Sequence, residues 1–178
     1  MKRNARHIFF VPVSVLFFIV SFAQTKDEQI KLIRKKFEVI NKDTTLRKVV
    51  LDNEEFLENM TDGGGKLAGF YRNKEIKKIY EWIGLSNGIS IKEFYFDNGQ
   101  LIFVYEKFDS FVFDAQKNEF DFTKTKTVFE GRYYFSNKKL FNKSIKGNRA
   151  LSAQDESTEE SLVERANENL ETLNKKSN

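Results

Sequence analysis

Three short segments of this chain repeat one pattern, an aromatic pair, a polar turn containing Asn, and an aliphatic residue that opens the next run. They are Phe70-Tyr71-Arg72-Asn73-Lys74-Glu75-Ile76, Phe94-Tyr95-Phe96-Asp97-Asn98-Gly99-Gln100-Leu101 and Tyr133-Tyr134-Phe135-Ser136-Asn137-Lys138-Lys139-Leu140, the first a residue shorter. Asn98-Gly99 tolerates positive φ at both positions and favours a type I′ turn. Asn in the other two accepts the left-handed conformation at a smaller penalty than other side chains. Alternating aromatic and β-branched residues on both arms supply the cross-strand contacts of a hairpin.

The arms are expected at about 66–72 and 75–83, 89–96 and 100–108, and 127–135 and 139–146. That is an antiparallel meander of six strands, or seven if Leu46 to Leu51 adds one. Phe111 to Phe113 extends or crosses near the sheet, and the extra length before the third copy falls in Asp109 to Lys126, as a longer loop or a short extra hairpin.

Helical periodicity flanks the sheet. Thr25 and Glu28 form a capping box, and Ile30, Ile33, Phe37 and Ile40 follow as a stripe that Leu32 widens. At the other end Ser157 caps with Glu160, and Leu162, Ala166, Leu170 and Leu173 form a narrow stripe between early Glu residues and late Lys residues. The fold class is therefore α+β: an N-terminal helix, a meander with repeated hairpins and an amphipathic C-terminal helix. Residues 24–152 are expected to form a single domain, and 153–178 an acidic helix or tail that docks on the body, pairs with a partner or stays mobile beyond the Ser152 to Glu156 linker. The central hairpin is apolar on both faces, so both need cover. One face suits the N-terminal helix; the other needs the second helix, a curling sheet or a partner.

The N-terminus carries Lys2, Arg3 and Arg6, an apolar run from Ile8 to Phe22, and small residues at Ser21 and Ala23. This is the form of a cleaved export signal over residues 1–23, which places the mature protein in the periplasm or outside the cell and limits membrane contact to the signal before cleavage. Its removal changes the chemistry. The full chain has 30 Lys plus Arg against 26 Asp plus Glu, but three of those cations leave with the signal, and so does His7, the single histidine. A nearly neutral exported domain is no generic nucleic-acid binder. With no Cys either, zinc sites, disulfides and His-dependent catalysis are excluded by composition, and no cofactor is expected.

Asp62-Gly63-Gly64-Gly65-Lys66 lacks the spacing and following helix of a phosphate loop and is expected to be a flexible connector able to act as a hinge. Asp97-Asn98-Gly99 is a turn without the remaining ligands of a calcium loop. Trp82, Tyr80, Tyr95 and Tyr105 are candidates for a stacking surface toward a protein, peptide or glycan, although aromatics on adjacent strands are also ordinary core. Glu93 and Glu106 lie on opposing arms and form the alternative site, an acidic pair for glycan hydrolysis. A two-residue turn pairs 97 with 100 and 93 with 104, leaving Glu106 near 91; cross-strand charge pairing with Lys92 and Lys107 is the simpler role. The expected function is a non-enzymatic binding module for a protein, peptide or envelope component, with a small carboxylate-dependent glycan hydrolase or a structural envelope protein as alternatives. The oligomeric state is left open.

Overall fold

The computed structural model describes residues 25–148 and 157–177; the expected export signal and the Ser152 to Glu156 linker lie outside the described residues. Helix α1 (Lys26–Lys42) is followed by strand β1 (Arg47–Asp52), a one-turn helix α2 (Asn53–Phe56), strands β2 (Gly65–Arg72), β3 (Glu75–Leu85), β4 (Gly88–Asp97), β5 (Gln100–Asp114), β6 (Glu119–Ser136) and β7 (Lys139–Gly147), and helix α3 (Glu159–Ser177). The strands form one seven-stranded antiparallel sheet in sequence order, the expected meander with its additional first strand.

The three repeated hairpins share more than their turns. Asn73, Asn98 and Asn137 all take positive φ, at 57°, 48° and 50°. Each hairpin then carries a bulge at the same place. Tyr71 faces Ile76 but Phe70 faces Lys78; Phe96 faces Leu101 but Tyr95 faces Phe103; Phe135 faces Leu140 but Tyr134 faces Asn142. The extra residue is Lys77, Ile102 or Phe141, always the one after the aliphatic residue that opens the second arm. A bulge bends its strand and increases local twist. It also moves the register beyond it by one, so Glu93 faces Tyr105 rather than residue 104, and Glu106 faces Lys92 rather than residue 91.

The region between the second and third copies takes the hairpin form of the two expected, and it does so by prolonging β5 and β6, with Phe111 to Phe113 extending β5. The last β4 pair is Gly88 with Ser110, and beyond it these two strands continue as a free ribbon. Its rings pair edge to face, Phe111 with Phe122 at 5.1 Å and Phe113 with Phe120 at 5.5 Å, while Phe113 and Phe122 remain 52% and 65% exposed.

Each sheet face receives a helix. On one, Ile33 and Ile40 of α1 pack with Tyr95, Phe103 and Tyr134, with Phe37 and Ile30 at the margin. The Thr25–Glu28 capping box forms as its spacing predicts, but Leu32 points outward, 44% exposed, and does not widen the stripe. On the other face Leu162, Ala166 and Leu173 of α3 pack with Leu67, Ile79, Phe94, Val104 and Tyr133. The C-terminal helix is thus docked, and its stripe is completed by the buried Asn169. The cap lies one residue later than expected. Thr158 and Ser161 cap reciprocally, the Ser161 amide donating to Thr158 Oγ1 at 3.1 Å and the Thr158 amide to Ser161 Oγ at 2.9 Å. Ser157 is used differently, its hydroxyl donating to Glu106 at 3.1 Å.

The glycine connector is not a free hinge. The Gly63 amide donates to the Gly84 carbonyl at 3.1 Å and the Gly84 amide to the Gly64 carbonyl at 2.9 Å. A Cβ on Gly63 would stand 2.7 Å from Gly84 Cα, so two backbones meet where neither tolerates a side chain.

Candidate functional site: a half-covered sheet face

Cross-strand registers place the side chains of the α1 face in rows. Phe70, Lys78, Tyr95, Phe103 and Tyr134 form one; Ala68, Tyr80, Glu93, Tyr105 and Arg132 form the next; Lys66, Trp82, Ile91, Lys107 and Glu130 form a third. Helix α1 lies over the first row. Its 17 residues run about 25 Å, but a single helix is only about 10 Å wide and cannot cover a seven-stranded sheet. Tyr80, Trp82, Ile91 and Tyr105 are consequently half-buried.

Between α1 and the second row is a cleft of about 450 Å³, to which α1 contributes Ile33, Arg34, Phe37 and Glu38 and the sheet Glu93, Phe103, Tyr105, Arg132 and Tyr134. Its lower walls are aromatic. Phe37 stands edge-on to Phe103 at 5.5 Å, and Phe103 lies 5.0 Å from Tyr134. Its rim is polar. Arg34 Nε donates to the Tyr134 hydroxyl at 3.3 Å, and the Arg132 guanidinium lies 5.2 Å from the centre of the Tyr105 ring.

Four of the candidate residues read from sequence, Trp82, Tyr80, Tyr105 and Glu93, come together on this open area. Tyr95 shares the face but not the surface: it is fully buried beneath α1, where its hydroxyl donates to Glu93 at 2.6 Å and accepts from Asn41 at 3.0 Å. It is a core residue and leaves the binding surface. The acidic pair does not exist as a pair. Glu93 faces α1, its other oxygen accepting from Lys78 at 2.7 Å, whereas Glu106 projects from the opposite face, fully buried under α3. There Glu106 accepts from Tyr133 at 3.2 Å and from Ser157, and Lys92 stands 3.5 Å away. Two carboxyls separated by the sheet cannot flank one glycosidic bond. The cross-strand charge role holds for Lys92 with Glu106; Lys107 instead pairs with Asp109 on its own strand at 2.6 Å.

Arg34, Glu38 and Arg132 are missed by the sequence reading, which has Phe37 only as part of the α1 stripe. Arg132 was within reach, because it alternates onto the same face as Tyr134. Arg34 and Glu38 flank the α1 stripe, but nothing in a helical period says where on a sheet that stripe docks.

Four tyrosines are held neutral. Burial, then the hydrogen bond to Glu130 at 2.6 Å, pushes Tyr105 up to about 12, while burial and the nearby Glu93 carboxylate raise Tyr80 and, further, Tyr95. Tyr71 is raised by burial against the other face. Raised phenol pKa values mean that the folded state holds protons the unfolded chain releases. Their contribution to stability is whole below about pH 10 and is lost as pH rises through the folded values. Absorbance titration at 295 nm of the folded protein is expected to show Tyr105 ionising near pH 12, and Tyr71, Tyr80 and Tyr95 ionising later than a free tyrosine. All six ionising together near pH 10 with the fold intact would contradict this packing.

In the cleft the Tyr105 phenol is held protonated and both Glu93 oxygens accept hydrogen bonds. Among the described residues no group of three or more His, Cys, Asp or Glu side chains could hold a metal ion, and no helix is long and apolar enough to cross a membrane. No family model matches the chain, and no curated protein or solved structure is detectably similar to it. What the arrangement offers chemically is contact area, directional donors and a preformed concavity.

Proposed function

We propose that the protein is an exported, non-enzymatic binding module, and that its ligand, a peptide, protein segment or envelope component, enters the cleft beside α1 and extends over Tyr105, Tyr80 and Trp82. The observation that carries this reading is the incomplete cover of one sheet face. The α3 face buries the larger continuous core, whereas the α1 face keeps an aromatic concavity and three half-buried polar-tipped rings side by side. Tyr and Trp give large contact area at low entropic cost and a polar handle besides. The hydrolase alternative has lost its acid pair to opposite faces.

Trp82 is the single tryptophan and sits at the open end of this surface, so its emission is a built-in reporter. Titration of residues 24–178 with fractionated envelope components (lipid, glycan and peptide) is expected to give a saturable change in Trp82 emission and reduced acrylamide quenching. Tyr105→Ala is expected to weaken that binding by about tenfold or more, the usual effect of truncating a central interface aromatic, while leaving a folded far-UV spectrum. A surface that stays equally quenchable in every fraction would sink the proposal.

A further inference from the structure

We propose that the cleft is built for a small amphipathic carboxylate, an acyl or aryl acid whose head group is held by Arg34 and Arg132 and whose apolar body lies against Phe37, Phe103 and Tyr105; this rests on the binding role proposed for the same cleft. The two guanidiniums reach its rim from different elements, α1 and β6. Arg34 gives one nitrogen to the Tyr134 hydroxyl and, among the described residues, makes no ion pair, so its terminal nitrogens remain available. Among the described residues the one ion-pair partner of Arg132 is Glu130, at a long 3.4 Å, and that oxygen already accepts a 2.6 Å hydrogen bond from Tyr105. The Arg132 guanidinium lies over the Tyr105 ring at 5.2 Å, and a guanidinium's planar fork matches a carboxylate bidentately.

The acidic groups of the cleft decide the sign and number of charges. Glu93 faces inward, but its oxygens already accept from the Lys78 ammonium and the Tyr95 hydroxyl, so its charge is largely compensated within the protein. Glu38, one turn beyond Arg34 on the exposed side of α1, also lines the cleft. Its charge opposes a second negative charge on the ligand, which favours a monoanionic carboxylate over a phosphate dianion. A volume of about 450 Å³ lies in the range of small-molecule sites, about 300–1,000 Å³, and is too small for a folded partner.

The test compares three probes of equal chain length by calorimetry on residues 24–178: decanoate, decanamide and decyltrimethylammonium. Decanoate is expected to bind at least tenfold more tightly than the other two. Arg34→Gln and Arg132→Gln are each expected to weaken decanoate about tenfold or more, since hydrogen bonds to charged groups carry that much, and to change decanamide less than threefold. Equal affinity for acid and amide, or equal loss of both in the variants, overturns the carboxylate assignment and leaves an apolar cleft. A hydrophobic tripeptide with a free C-terminus that binds more tightly than decanoate overturns the small-molecule assignment. If none of the probes binds, the inference falls, and the envelope titration with Tyr105→Ala decides separately whether the cleft binds anything.

Discussion

A chain ended at residue 152 is expected to lose its cooperative fold. Leu162, Ala166 and Leu173 of α3 are almost fully buried, and beneath them Leu67, Ile79, Phe94 and Val104 owe their burial on this face to that helix. Burying one Leu, Ile or Phe side chain contributes about 1.5–3 kcal/mol. Uncovering those four sheet residues, Val104 included, and losing the burial of Leu162 and Leu173 therefore forfeits on the order of 10 kcal/mol, comparable with the whole stability of a domain, about 5–15 kcal/mol. Two further losses act in the same direction. Glu81 would lose Arg165 and Asn169, and Glu106 would lose Ser157, all hydrogen-bonded across the helix–sheet interface. Thermal unfolding by circular dichroism and dye binding to exposed apolar surface check this. A truncated chain that melts cooperatively within a few degrees of the 24–178 protein would show that α3 is an appendage rather than half of the core.

That helix also shows how far periodicity carries and where it stops. Its stripe is visible as Leu162, Ala166, Leu170 and Leu173, but a narrow stripe fits a dimer partner as well as a sheet. The deciding residue is Asn169, a polar side chain buried in the stripe because Glu81 waits for it on β3. The hairpins were legible for a stronger reason: Asn at each turn and alternation on each arm point to one pairing. Their bulges were not. The extra residues Lys77, Ile102 and Phe141 differ in character, and only pairing on both sides reveals that each strand gains a residue. That single residue moved Glu106 from opposite residue 91 to opposite Lys92. Alternation on β4 and β5 then sends Glu93 and Glu106 to opposite faces, a distinction that sequence spacing without register cannot make. The aromatic surface was partly legible, since Tyr80 and Trp82 share a face by parity alone, whereas Tyr105 joins them only through the bulge-shifted register of β4 with β5. Which ring is covered depends on where α1 lies, and this is why Tyr95 became core and Arg34 became a rim residue.

The polar cluster under α3 yields the second large effect. Glu81 is nearly inaccessible, and one of its oxygens accepts from Arg165 Nε and Asn169 Nδ2, both at 2.7 Å. Removing the carboxylate leaves Asn169 buried without that acceptor and Arg165 without its charge partner, so Glu81→Ala is expected to cost about 3–5 kcal/mol. Urea unfolding should show the midpoint falling with little change in slope. Replacing the whole cluster, Glu81→Leu with Arg165→Met and Asn169→Leu, removes the desolvation penalty together with the interaction. It is expected to fall within about 1 kcal/mol of the parent or above it, as buried ion pairs exchanged for apolar groups of similar volume often do. The two outcomes separate stability from registration. Leu162, Ala166 and Leu173 give an apolar stripe with little to tell one turn of α3 from the next, whereas the Arg165 and Asn169 donors meet their acceptor at one helix position only. If the cluster sets that position, the apolar triple variant should keep its unfolding midpoint and yet show broadened amide resonances along α3 and faster exchange at its C-terminal turns. Sharp resonances with unchanged protection would mean that side-chain shape alone aligns the helix, and that the cluster contributes stability without alignment.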